Sequence, residues 1–219
     1  MALLLQQNDK LVMIGDSVTD CERAHPVGEG LFGAIGKGYV SYVDALLSAV
    51  YPELAIRVVN MGNSGNTVRD LQTRWQADVI DQQPNWLSIM IGINDVWRQY
   101  DIPRQPETHV YLESYEQTLD ALVARTKPLV QGLVLMTPYY IESNPDDAMR
   151  STMDCYGAAV HRVATKYDAL FVDTQAAFNR ILTTCHSAAL AWDRVHPNHI
   201  GHMVLARAFL KAVGFIIEE

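Results

Sequence analysis

Cysteine is scarce in this 219-residue chain: Cys21, Cys155 and Cys185 stand far apart, and no C-x-x-C occurs. An odd count at long spacing argues against a disulfide framework or a zinc knuckle and suits a reducing compartment. Basic charge is scarce too, with 17 Lys and Arg against 25 Asp and Glu, a net charge of -8. No run of Lys and Arg offsets it. An acidic surface repels phosphate backbones, so no nucleic-acid partner is expected. Long apolar runs are also missing. The N-terminal one, Ala2 to Leu5, is too short for a signal-peptide core and has no positive residue before it. Nothing approaches the roughly 20 residues of a membrane span. The expectations are no membrane partner and a cytoplasmic location. Repeats, low-complexity tracts and Gly-, Pro- or Ser-rich linkers are absent, which leaves one domain over residues 1–219.

What is present is a set of short apolar runs: 10–15, 54–62, 86–92, 132–137 and 169–173. Each is rich in Val, Ile and Leu and ends in Gly or a small polar residue, as a strand buried on both faces does. Amphipathic stretches lie between them, at 39–50, 111–126, 151–167 and 197–213, the second with Tyr111, Tyr115, Leu119 and Leu122 on one side. Strands alternating with helices predict an α/β fold, a doubly wound three-layer α/β/α sandwich on a five-stranded parallel sheet, flavodoxin-like. Such folds bind ligands beyond the carboxyl ends of their strands.

Chemistry-bearing residues stand at those ends. Gly15-Asp16-Ser17 follows the first run, "NMGNSGNT" (60–67) closes the second, and "GINDVW" (92–97) closes the third. "WDRVHPNHIGH" (192–202) leads into the last helix. Pro197 disfavours helical backbone at His196 and suits the first helical position itself, so His196 reads as a cap at a loop tip. Asp193, three residues earlier, can fold back onto the imidazole, fix its tautomer and stabilise its cation. Ser17 is then a nucleophile that His196 can activate. The Ser17 N–H, the Gly65 N–H and the Asn94 amide are candidate donors to an oxyanion.

These four blocks together resemble the SGNH (GDSL-type) hydrolases: Gly15-Asp16-Ser17, Gly65 within Ser64-Gly65-Asn66-Thr67, Gly92-Ile93-Asn94-Asp95, and Asp193-Arg194-Val195-His196-Pro197. They occur in family order across nearly the whole chain. Val18 stands where the first block often has Leu. The resemblance implies Ser17, His196 and Asp193 as the triad, and Ser17, Gly65 and Asn94 as the oxyanion hole. "GYVSYVDALL", "RVVNMGNSGNTVRDL", "IMIGINDVWRQYD", "FVDTQAAF" and "AALAWDRVHP" are similar to the acetylxylan esterase branch. That branch implies an acetylated saccharide substrate, no metal or other cofactor, and a homo-oligomer, with an octamer as the specific expectation. The alternative within the family is a thioesterase or lysophospholipase acting on other acyl esters.

Blander readings compete at each position. Asp16 and Ser17 could only start a helix, Gly65 could only make a turn, and Asn94 and Asp95 could both be caps. We expect Asp95 as a cap or supporting acceptor, and Asp16 either steadying the turn or touching the sugar. Ser64 mimics a nucleophile elbow, but Asn66 breaks that motif. His196, His199 and His202 drift around a helix too far to share a metal, since each residue turns about 100°. "GEGLFG" (28–33) follows no strand directly, so residues 23–38 read as a mobile glycine-rich loop over the site or in a subunit contact. Trp97 and Trp192 are both candidate pocket walls, with Trp192 the better one.

Overall fold

The computed structural model describes residues 2–217. Its five strands are β1 (Lys10–Gly15), β2 (Arg57–Gly62), β3 (Trp86–Met90), β4 (Gly132–Met136) and β5 (Leu170–Val172). They form one sheet in the order β2-β1-β3-β4-β5, and every pairing is parallel. Leu11, Val12, Met13 and Ile14 of β1 are all fully buried, so the continuous apolar run reflects a strand covered on both faces. Burying each such side chain stabilises the fold by roughly 1.5–3 kcal/mol relative to exposure.

The helices are α1 (Ser17–Asp20), α2 (Tyr39–Val50), α3 (Val68–Trp75), α4 (Ile93–Asp101), α5 (Leu112–Thr126), α6 (Ala148–Lys166), α7 (Thr174–Leu182) and α8 (His199–Ala212). α2 and α7 pack on α8, while α3 and α6 pack on α5 and α4 packs on α6. These two helical layers enclose the sheet. The chain leaves β1 toward β2 on one side and toward β3 on the other, so the carboxyl ends of β1 and β3 flank the switch in strand order. Gly15 makes that end possible: a Cβ there would lie 2.3 Å from both the Met90 carbonyl oxygen and Thr19 Oγ1.

Several expected boundaries move. The second run does not start a strand at 54, because Pro52–Leu54 form a 3₁₀ turn and Ala55 takes a left-handed conformation, so β2 begins at Arg57. α6 begins before residue 151, since Asp147 caps it by accepting from the Arg150 N–H. Tyr111 is the N-cap residue of α5 and is exposed rather than on its buried side. α8 begins at His199, where Asn198 accepts from the N–H groups of Ile200 and Gly201, so His196 precedes the cap.

The 23–38 segment is anchored, not a free loop. Arg23 is buried and its Nε donates to the Gly62 carbonyl at 2.5 Å. Gly28 and Asn60 exchange backbone hydrogen bonds of 3.1 and 2.9 Å, which covers the open edge of β2. The Asn60 amide also donates to the Ile35 carbonyl at 2.8 Å. Leu31 and Phe32 at its tip remain exposed.

Candidate active site

β1 ends at Gly15, and the chain turns at once into α1. Asp16 caps that helix with Oδ1, which accepts from the Val18 N–H at 3.0 Å. Ser17 therefore starts a helix, with its N–H free of the ladder and near the positive end of the turn. Its Oγ lies 2.8 Å from His196 Nε2. His196 Nδ1 lies 2.6 Å from Asp193 Oδ2, and Asp193 Oδ1 accepts from the backbone N–H groups of Val195 and His196 at 2.9 and 2.8 Å. The carboxylate thus folds the 193–196 turn and orients the ring with the same side chain. Burial pushes the Asp193 carboxyl up, but hydrogen bonds from the His196 ring and from the His196 and Val195 N–H groups outweigh it and hold it below its usual range. Arg194 takes a left-handed backbone at φ +62° to complete the turn. The Val195 carbonyl accepts from Tyr139 Oη at 3.0 Å, and the Arg194 carbonyl accepts from the Ile141 N–H at 2.9 Å, tying this loop to the segment after β4.

The other expected donors gather at the same edge. Gly65 sits in the turn after β2 at φ +82°, with no atom within 4 Å of where a Cβ would be. A side chain would be strained there by the backbone rather than by crowding. Asn94 is buried on the first turn of α4, and its Nδ2 donates to the Asn66 carbonyl at 2.9 Å. An amide has a second N–H, so Asn94 keeps one donor beyond this contact. Asp95 does not cap its own helix. It is fully buried and accepts from the Val68 N–H, the first of α3, at 3.0 and 3.3 Å. Burial pushes its carboxyl up to about 7. Asn94 and Asp95 together grip the segment that follows Gly65.

One substrate-contact expectation needs correction. Asp16 is fully buried, so it steadies the turn and does not present itself to a sugar. Its Oδ2 has no hydrogen-bond partner among the described residues, and burial raises its pKa to about 6. Trp192 is 93% exposed, next to Asp193. The tryptophan against the histidine is Trp97, half-buried on α4, whose ring centroid lies 5.7 Å from that of His196 with the planes at 63°. The Arg98 guanidinium lies 5.3 Å from the same indole.

Competing residues are otherwise occupied. Ser64 Oγ donates to Asp20 Oδ2 at 2.7 Å, which makes it a turn residue. His202 is buried, its Nδ1 accepts from the Tyr39 N–H at 3.1 Å, and its Nε2 lies 3.5 Å from Cys21 Sγ. Burial lowers its pKa to about 4. His199 is exposed, so the three histidines point to different surroundings. A cavity of about 450 Å³ lies between α6 and α7, lined among others by Arg150, His161, Phe171 and Asn179. None of Ser17, Gly65, Asn94 or His196 lines it, so the Ser17–His196–Asp193 cluster lies outside that cavity.

No local pattern shows what Arg74 touches, because its partners come from other segments. Arg74, on the last turn of α3, bonds to the ends of both β1 and β2.

Residues 13–204 match the GDSL-like Lipase/Acylhydrolase family. An acetylxylan esterase of Geobacillus stearothermophilus is 66% identical over 207 residues, 94% of this chain and 94% of that protein. The crystal structure of an acetylxylan esterase from the same organism superposes with a TM-score of 0.98 at 63% identity, covering 99% of both chains. Variants of that enzyme with a serine, a histidine or an aspartate changed to alanine are described as catalytic mutants. An α/β hydrolase from the metagenome of Lake Arreo, Spain, superposes with a TM-score of 0.96 at 55% identity, covering 97% of this chain and 98% of its own.

Proposed function

The chain belongs to the GDSL-like lipase/acylhydrolase family, and on that premise we propose that it is a serine esterase that removes acetyl groups from acetylated xylo-oligosaccharides through an acyl-enzyme on Ser17. The observation that carries this reading is the unbroken chain of short contacts from Ser17 Oγ through His196 to Asp193. The relative's catalytic mutants support it: the changed serine stands 179 residues before the changed histidine and the changed aspartate three before it, the same separations as Ser17, Asp193 and His196.

In this mechanism Ser17 Oγ attacks the acetyl carbonyl as His196 Nε2 takes its proton. The negative charge that develops on the carbonyl oxygen is met by the N–H groups of Ser17 and Gly65 and the second N–H of Asn94. Asp193 stabilises the imidazolium. His196 then gives the proton to the departing sugar hydroxyl, and a water repeats the sequence on the acyl-serine to release acetate. The triad lies open, with the His196 side chain 45% exposed, which suits an acetyl group carried on a bulky saccharide. The Trp97 ring against His196 supports it as a wall of the acyl position, and the exposed Trp192 beside Asp193 is open to the saccharide.

Residues 1–219 act as one domain in this reading. We place the protein in the cytoplasm, on the support of three unpaired cysteines, and as a homo-oligomer, on the support of the exposed Trp192, Leu31 and Phe32. The testing experiment measures acetate release from acetylated xylo-oligosaccharides, acetylated amino sugars and acetylated lipids, alongside p-nitrophenyl esters of rising acyl length. Preference for the acetylated xylo-oligosaccharide and for acetate is expected. Preference for chains longer than about butyrate would overturn the substrate.

A further inference from the structure

All three guanidinium nitrogens of Arg74 donate, to four acceptors in all. Nη2 donates to the Gly15 carbonyl at 2.9 Å, and Nη1 to the Met61 carbonyl at 2.7 Å and to Asp78 Oδ2 at 2.6 Å. Nε donates to Asn66 Oδ1 at 2.6 Å. Gly15 is the last residue of β1 and precedes Asp16-Ser17. Met61 lies at the end of β2, and Asn66 follows Gly65 directly. One planar group therefore touches the strand end that carries the nucleophile and the turn that carries the second oxyanion donor. The Asn63 N–H donates to the same Gly15 carbonyl at 3.0 Å, and the Asn66 N–H donates to the Asn63 carbonyl at 3.2 Å. The Asn66 carbonyl accepts from Asn94 Nδ2, so all three candidate oxyanion donors lie one or two links from Arg74.

We propose that Arg74 is the positioning residue of the oxyanion hole: it sets the spacing between the Ser17 turn and the Gly65 turn without touching substrate. This rests on the active-site reading above. The fork geometry is what the task requires, since a guanidinium offers five donors in a fixed plane and an ammonium is a single point. Asp78, one turn further on, balances its charge, and both side chains are largely buried at 14% and 22% exposure. The hole must match the oxyanion rather than the ground-state carbonyl. Loosening it therefore lowers kcat and leaves KM nearly unchanged.

The test measures kcat and KM on p-nitrophenyl acetate for the wild type, Arg74→Lys, Asn66→Ala and the double variant, with Ser17→Ala beside them. Arg74→Lys should lower kcat about 10- to 100-fold, with KM within about twofold. The acid limb of its pH profile should stay in place, because the His196–Asp193 pair is untouched. Asn66→Ala should lower kcat in the same direction, and the double variant should lose little more than Arg74→Lys alone. A kcat within twofold of wild type, a rise in KM alone, or additive losses would overturn the proposal. Should Arg74→Lys not fold, Asn66→Ala decides alone, and an unchanged kcat overturns it. An active Ser17→Ala would sink the active-site reading instead, whereas an inactive Ser17→Ala beside a fully active Arg74→Lys sinks only this inference.

Discussion

Asp193 holds His196 twice and Val195 once: its Oδ2 lies 2.6 Å from His196 Nδ1, and its Oδ1 accepts from the backbone N–H groups of His196 and Val195. The carboxylate is thus both the partner of the ring and the pin of its turn. Asp193→Asn keeps acceptors for the backbone but offers the ring an amide that can favour the wrong tautomer. We expect kcat to fall on the order of 10³- to 10⁴-fold while the thermal midpoint moves little. Steady-state kinetics beside a melting curve checks this, and a large loss of stability with a small loss of kcat would contradict it.

Gly65 holds a positive φ in open space. Gly65→Ala should cost about 1 kcal/mol of stability from backbone strain alone. It should also shift the donor N–H and lower kcat. Asn94→Ala should lower kcat by about 10²–10³ with little change in KM. Denaturant titration and kcat on one acetyl ester separate the two effects, because the Asn94 loss should exceed anything its stability change explains.

His202 gives the fold a pH dependence of known sign. Its pKa is lowered from 6.5 to about 4 by burial, so the unfolded chain binds the proton more readily than the native state. Stability from this group is full above about 6.5 and is lost as pH falls toward 4. The shift corresponds to on the order of 3 kcal/mol. Asp16 and Asp95 act oppositely, because burial raises both, and their contribution fades as pH rises through about 6 and about 7. Melting midpoints from pH 4 to pH 8 should show the acid-side loss reduced in His202→Gln. An unchanged acid slope would contradict this origin.

Much of the fold and the site was legible because its signals are local. The runs at 10–15, 86–90 and 132–136 became β1, β3 and β4, since a strand covered on both faces has to be apolar throughout. Ser17 meets the Asp193–His196 pair, while Gly65 and Asn94 follow the carboxyl ends of β2 and β3, which a parallel sheet delivers to the same edge as that of β1. The misses come from tertiary contacts that no short pattern encodes. Asp16 stands beside Ser17 in sequence, yet it is fully buried. Trp97, a candidate wall by sequence, lies against His196, a partner that no local pattern names. Arg74 reads as an ordinary helix residue until the ends of β1 and β2 are brought under it.

In the proposed reaction Ser17 is the nucleophile of acyl transfer. The direct measurement is acetate release by wild type and Ser17→Ala, with labelling of both by a fluorophosphonate. We expect the variant to lose activity by on the order of 10⁴-fold or more and to take up no label, with the wild type labelled at Ser17. A Ser17→Ala protein that still releases acetate at the wild-type rate, or a wild type labelled elsewhere, would contradict it.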